Sequence, residues 1–343
     1  MTEPMTDAMS NGEDGLALNR ALWDQRARVH GSTPTDRFYD IESFLAGRQT
    51  LYALERELAG DVSGKDLLHL QCHFGMDTLN WARLGARVTG VDFSPVAIER
   101  ARLLAGRAGL EATFVEADTQ RLPTRLAGRF DLVVATYGVL CWIADVKAWM
   151  RGAAMALKPG GSLVLVDMHP AFQTIASLDP LVVDWPYGGG EPQRETETGS
   201  YADPGLTTPA QDTVQYPYSL GEIVTAAAEA GLTTKHLGEH LATEIDPRGF
   251  LRQGEDGLYR LPFGDSHLPI LYSLARSRPP LTGPENRSDA EPVQQPLVVH
   301  RRAAEQQLRG LGPAEVQVRG VLPGEADAAV DLDVLHGGHH VRP

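Results

Sequence analysis

The sequence is short of cysteine, of basic charge and of long apolar runs. Cys72 and Cys141 are its only cysteines in 343 residues, too few for a disulfide scaffold or a cysteine zinc site, and both are expected to be free thiols. The 31 Lys plus Arg residues fall well below the 45 Asp plus Glu, giving a formal charge of -14. Such a field repels phosphate backbones and anionic lipid surfaces, so nucleic acid is not an expected partner. No apolar run approaches the roughly 18 residues that a membrane helix needs. The opening MTEPMTDAMSNGEDG lacks the basic and apolar regions of a signal peptide, and a cytoplasmic location is the expectation. Aromatic residues are missing altogether from 279–343, where eight prolines occur; this composition buries too little apolar area to offset the entropy of ordering, and a disordered tail is expected there. Its terminal His336, His339 and His340 sit in a polar end and are assigned no metal.

What is present reads as an α/β chain. Residues 1–15 are polar and are expected to be a disordered leader, followed by a helical cap over 16–60 with helices near 16–29 and 41–58. From Asp66 onward short apolar runs alternate with amphipathic stretches: 67–70 then 76–84, 87–91 then 95–107, and on through 113–115, 130–135, 145–157 and 162–166. That alternation is the pattern of βαβ units and a parallel sheet. Residues 170–217 lose periodicity and collect Pro, Gly, Thr and Tyr, as an insertion or lid does. Ser219 with Glu222 forms a capping-box signature, and Gly231 stands where a helix ends. Two last strands, at 232–238 and 267–275, close a domain expected to span 61–278.

Two segments, DLLHLQCHFG at 66–75 and VTGVDFS at 88–94, carry a resemblance. They resemble the first cofactor loop and second strand of class I S-adenosylmethionine-dependent methyltransferases of the small-molecule type. FVEADT at 114–119, FDLVVATYG at 130–138 and LKPGGS at 157–162 are similar to later strand ends and turns of that family. The resemblance implies a doubly wound, mostly parallel seven-stranded sheet, Rossmann-like, with S-adenosylmethionine as cofactor and methyl transfer to a small molecule as activity. In the loop, His69, Gln71 and His73 stand where the family usually has an acidic residue and glycines, and Gly75 alone matches.

The resemblance assigns roles residue by residue. Asp92 would bind the ribose hydroxyls, with Phe93 against the adenine; Asp118 and Thr119 would hold the adenine edge; Gln71, Cys72, Gly75 and Thr136 would complete the cofactor site. Asp92 alternatively only begins a turn, although Ser94-Pro95 behind it starts a helix as N-cap and first residue. Trp23 and Tyr39 of the cap either fold over the cofactor or staple the cap to the sheet. If strands one and four are neighbours, as in the family, Cys72 and Cys141 share one crevice.

Methyl transfer to a nucleophile needs alignment above all, and a base only for some acceptors. His169, after the fifth strand, and Tyr137 are the candidate bases, His169 having the alternative of a hydrogen-bonded structural histidine. A nicotinamide-dependent dehydrogenase would share the ribose carboxylate but should show G-x-G-x-x-G. A noncatalytic cofactor-binding protein is the other alternative.

Overall fold

The computed structural model describes residues 4–280, apart from 34, 35, 37, 190, 191, 204, 247 and 264–266, and gives backbone alone for 4–13. The tail expected from 279 therefore lies, from 281 onward, outside the described residues, as do residues 1–3 of the leader.

Helix α1 (Pro4–Val29) begins well before the expected residue 16. Pro suits a first helical turn, and the Met and Ala residues that follow are good helix formers, which outweighs Asn11 and Gly12. The helix expected at 41–58 is instead two, α2 (Ile41–Leu45) and α3 (Ala53–Ala59). Gly47, with φ of 104°, breaks the run between them.

The sheet strands are β1 (Asp66–Leu70), β2 (Arg87–Asp92), β3 (Thr113–Glu116), β4 (Phe130–Thr136) and β5 (Leu157–Met168). Helices α4 (Met76–Arg83), α5 (Pro95–Ala108) and α6 (Val146–Ala156) connect them. The 170–217 region is built rather than irregular. It holds the short α7 (Pro170–Gln173), a hairpin of β6 (Ile175–Leu178) and β7 (Leu181–Val183), and a second of β8 (Gln193–Glu197) and β9 (Gln211–Gln215). Then come α8 (Leu220–Glu229), β10 (Thr233–His240), the small hairpin β11 (Arg252–Gln253) and β12 (Tyr259–Arg260), and β13 (Leu271–Ser277).

The seven-stranded sheet runs β10-β13-β5-β4-β1-β2-β3. β1 to β5 pair in parallel, while β13 is antiparallel to both β5 and β10. Strand order reverses at β1, and the carboxyl ends of β1, β2 and β4 open where such folds place their ligands.

Period-two alternation assigns the two sheet faces. Leu68, Leu70, Val133, Ala135, Leu163 and Leu165 pack with α6 and α8 around Trp149. Leu67, Leu132, Val134, Val164 and Val166 pack around Trp81 and Phe172. Truncating either fully buried tryptophan would cost about 3–5 kcal/mol. Arg276 of β13 is wholly buried, and its guanidinium donates to the carbonyls of Leu232 at 3.1 Å and Val224 at 3.0 Å, tying α8 to the sheet.

Helix signals in the sequence act as expected. The Ser94 hydroxyl caps the amide of Ala97 at 3.0 Å, and the Ser219–Glu222 capping box forms at the start of α8. The Lys-Pro-Gly-Gly turn is absorbed into β5, whose pairing with β4 shifts register there. Lys158 then spans the carboxylates of Asp66 and Asp131, 2.8 Å from each.

One glycine positions the cofactor-loop region directly. A β-carbon on Gly90 of β2 would lie 2.8 Å from Cys72 Sγ and 2.9 Å from the Phe114 ring. Gly90→Ala should destabilise the protein by about 1–3 kcal/mol through overpacking, and Cys72→Ala in the same chain should return part of the loss. Urea unfolding of the single and double variants checks this; an unchanged midpoint for Gly90→Ala would mean the loop does not rest on β2.

Candidate active site

A large cavity of about 1450 Å³ opens at the carboxyl edge of β1, β2 and β4. Small-molecule sites usually hold about 300–1,000 Å³, so this one has room for two ligands side by side. Trp23, Tyr39, Gln71, Cys72, Gly75, Asp92, Phe93, Thr136 and Tyr137 of the expected site line it together, as does Cys141.

The loop after β1 does without the expected glycines by a different device. Gln71 and His73 adopt positive φ, 54° and 49°, and Tyr137 after β4 does the same at 57°. A side chain in this region costs about 1–3 kcal/mol, so surrounding contacts must hold it there. Gln71 donates to the Val139 carbonyl at 2.8 Å and accepts from the Trp149 indole at 3.0 Å. Its amide thus fastens the β1 loop to the β4 loop and to α6, which leaves its side chain in the wall. The amide of His73 donates to Asp92 Oδ2 at 2.8 Å, and that of Ser94 to Oδ1 at 2.9 Å. Asp92 is 6% exposed, and burial lifts its pKa to about 6 against the pull of these amides. Each carboxylate oxygen retains a lone pair for a further donor.

Asp167 is a site-building residue that sequence reading passed over. Buried at the end of β5, it accepts from the amides of Val139 at 3.2 Å, Leu140 at 3.0 Å and Met168 at 2.8 Å, and from Gly138. It holds the β4 loop in place as a helix cap holds a first turn. An acidic residue immediately after the strand's expected end at 166 was the available signal.

Strand alternation decides the fate of His169. Met168 lines the cavity, and His169 beside it does not. Its Nδ1 accepts the amide of Ala171 at 3.1 Å as N-cap of α7, and its Nε2 pairs with Glu239 at 2.9 Å. The structure thus places His169, one of the two candidate bases, outside the cavity wall, where its contacts fit the alternative of a hydrogen-bonded structural histidine. Asp118 and Thr119 also lie outside the cavity wall, because the Asp118 carboxylate turns to cap the amide of Gln120 at 2.9 Å and Thr119 is buried.

Aromatic rings close the cavity from above. Trp23 meets His73 and Trp142 edge to face at 5.4 and 5.5 Å, and Tyr39 stacks on His30 at 4.8 Å. The Tyr39 hydroxyl is 2.6 Å from that of Tyr201. Helix α1 is itself clasped to the β8–β9 hairpin: Asn19 exchanges two hydrogen bonds with the backbone of Val214, at 2.7 and 2.9 Å, and Arg26 pairs with Glu197. His30 and His73 share a 2.9 Å contact, and burial first lowers the pKa of both, helped by His73 and then Arg26 for His30 and by Arg100 and Arg26 for His73, which falls to about 3. His69 bonds Thr78 at 2.8 Å and burial lowers it to about 4. Burial raises both cysteine thiols, which stay protonated. Among the described residues no group of three or more His, Cys, Asp or Glu side chains is placed to hold a metal ion.

Residues 67–161 match the family model of a methyltransferase domain. Curated relatives include a ubiquinone biosynthesis O-methyltransferase of Caulobacter sp. (strain K31), 31% identical over 162 residues, which are 47% of this chain and 63% of the relative. Another of the same name, from Bordetella bronchiseptica, is 32% identical over 161 residues, covering 46% and 64%. The chain thus spans less than two thirds of the length of these relatives. Among solved structures, an S-adenosylmethionine-dependent methyltransferase from Mesorhizobium loti is 22% identical, with a TM-score of 0.46 over 68% of this chain and 100% of that one. No helix among the described residues is long and apolar enough to cross a membrane. Over residues 67–161, on the sheet described above, the chain carries a methyltransferase domain.

Proposed function

We propose that the protein transfers a methyl group from S-adenosylmethionine to a small acceptor held in the same cavity. The observation that carries this reading is Asp92, a buried carboxylate at the end of β2 that is fixed by two amides and faces a cavity large enough for two ligands. The cofactor fits the groups present: Asp92 offers its free lone pairs to the ribose hydroxyls, Phe93 a ring for the base, and Trp23 and Tyr39 aromatic faces for a cation, worth roughly 0.5–2 kcal/mol. In this reading 16–60 and 170–217 form the cover and 61–278 the catalytic domain.

When bound, the cofactor supplies a methyl group already activated by its positive sulfur. The protein's part is to orient and to exclude water. Gln71 and Asp167 fix the two loops that meet at the centre of the sheet edge, and alignment of this kind can reach effective molarities of about 10⁵–10⁸ M. Tyr137 is the residue of the wall best placed to exchange a proton with an acceptor; burial first, then Glu55, raises its pKa, so it serves as a neutral donor or relay.

Asp92→Asn should lower affinity for S-adenosylhomocysteine about ten- to a hundredfold, from the loss of charge-assisted hydrogen bonds. In the parent protein the same affinity should fall as the pH drops through about 6, where Asp92 takes up a proton and stops being a two-oxygen acceptor. The variant should lose that dependence. Calorimetry between pH 5 and 8, with melting temperatures recorded beside it, checks both; equal affinities and equal pH profiles would remove Asp92 from the ribose site. Methyl-labelled cofactor incubated with metabolite extracts should yield a labelled small molecule, whereas cofactor binding without any labelled product would point to a noncatalytic binder.

A further inference from the structure

The charge of the cavity wall is strongly one-sided. Seven carboxylates line it against three arginines. Of these, Arg26 is already paired with Glu197, and Arg248 faces Glu195 and Asp246. Arg48 is the remaining cation.

Two of these carboxylates, Asp77 and Glu244, stand at one end with a pair of tyrosines. Asp77 at the start of α4, Glu244, Tyr52 and Tyr137 all belong to the wall there. Behind them stands Glu55 of α3, 1% exposed. Its Oε1 accepts the Tyr52 amide at 3.0 Å and so completes the capping box of α3, while its buried Oε2 makes no close hydrogen bond and the carboxyl faces the Tyr137 hydroxyl. Tyr137, Asp77, Tyr52 and Glu244 are the groups Glu55 faces. Tyr52 and Tyr137 meet edge to face at 5.2 Å. A buried carboxyl with so few donors is stabilised in its ionised form by a nearby cation.

Topology separates this end from the ribose site. In the strand order β4-β1-β2, Asp92 ends β2 and Tyr137 follows β4, so the two lie on opposite sides of β1. Resting on the methyltransferase reading above, we infer that the end formed by Glu55, Asp77, Glu244, Tyr52 and Tyr137 binds a protonated amine of the methyl acceptor, making basic amines the acceptor class. The tyrosine rings and hydroxyls give the ammonium both π faces and acceptors. Carboxyl repulsion fits the same picture: burial chiefly, with Asp77 and Glu244 adding, raises Glu55 to about 8, and burial raises Asp77 to about 6. A bound cation stabilises the ionised carboxylates, so amine binding near pH 7 should release protons. Arg48, on the same wall, lowers Tyr52 without cancelling the acid excess.

The test titrates phenethylamine and 3-phenylpropionate, similar in size and opposite in charge, into the full chain with and without saturating S-adenosylhomocysteine. The amine should bind at least about tenfold more tightly than the acid. Its binding should release protons, read by calorimetry in two buffers of different ionisation enthalpy. Asp77→Asn and Glu244→Gln, the latter at an exposed side chain, should each weaken the amine several-fold and leave S-adenosylhomocysteine affinity unchanged. Equal affinity for amine and acid, or no effect of either substitution on the amine, overturns the inference. So does loss of S-adenosylhomocysteine affinity in their place, which would give the acidic end to the cofactor's own ammonium. A parent protein that binds the amine but never S-adenosylhomocysteine instead defeats the methyltransferase reading, and the two failures are told apart.

Discussion

The carboxylate of Asp92, held between the amides of His73 and Ser94, is the interaction on which the cavity depends. It joins the loop after β1 to the start of α5, and it fixes the amide of His73, which lies at positive φ. Asp167 does the parallel work for the loop after β4, gathering a run of amides from Gly138 to Leu140. Gln71 then bridges the two loops. A glycine-poor crevice is thereby shaped by buried polar side chains where small residues would ordinarily let the backbone shape itself.

This arrangement has an energetic consequence. Buried carboxylates are costly unless donors surround them, and both Asp92 and Asp167 are surrounded by amides of the loops they organise. Their hydrogen bonds offset desolvation only in part, since burial still raises each pKa. Over the crevice, α1 is clasped to the β8–β9 hairpin by polar contacts of the buried Asn19 and Arg26.

Much of the fold was legible in the sequence because it rests on local rules. The alternation of apolar runs from Asp66 onward, the Ser94-Pro95 start of α5 and the Ser219–Glu222 box each report on neighbours within a few residues, and the strands and helices form where they indicate. Asp92 and Tyr137 were legible as wall residues because a strand's end in this topology opens into the crevice. What was not legible depended on direction or on distant partners. His169 follows the strand whose last residue faces the cavity, so alternation turns it toward Glu239. Asp118 has an amide two residues on to cap, a local competitor that takes its carboxylate. The 170–217 region lacked periodicity because short exposed hairpins need little of it, and the pairing of Asn19 with Val214 spans far too much sequence to be read from pattern.

A crystal structure of the full chain with S-adenosylhomocysteine tests the central claim most directly. The account predicts both ribose hydroxyls within hydrogen-bond distance of the Asp92 carboxylate, with the His73 and Ser94 amides still on it and Trp23 and Tyr39 over the ligand. A ligand seated elsewhere, or an Asp92 that keeps its two amides and touches no ribose, would contradict it.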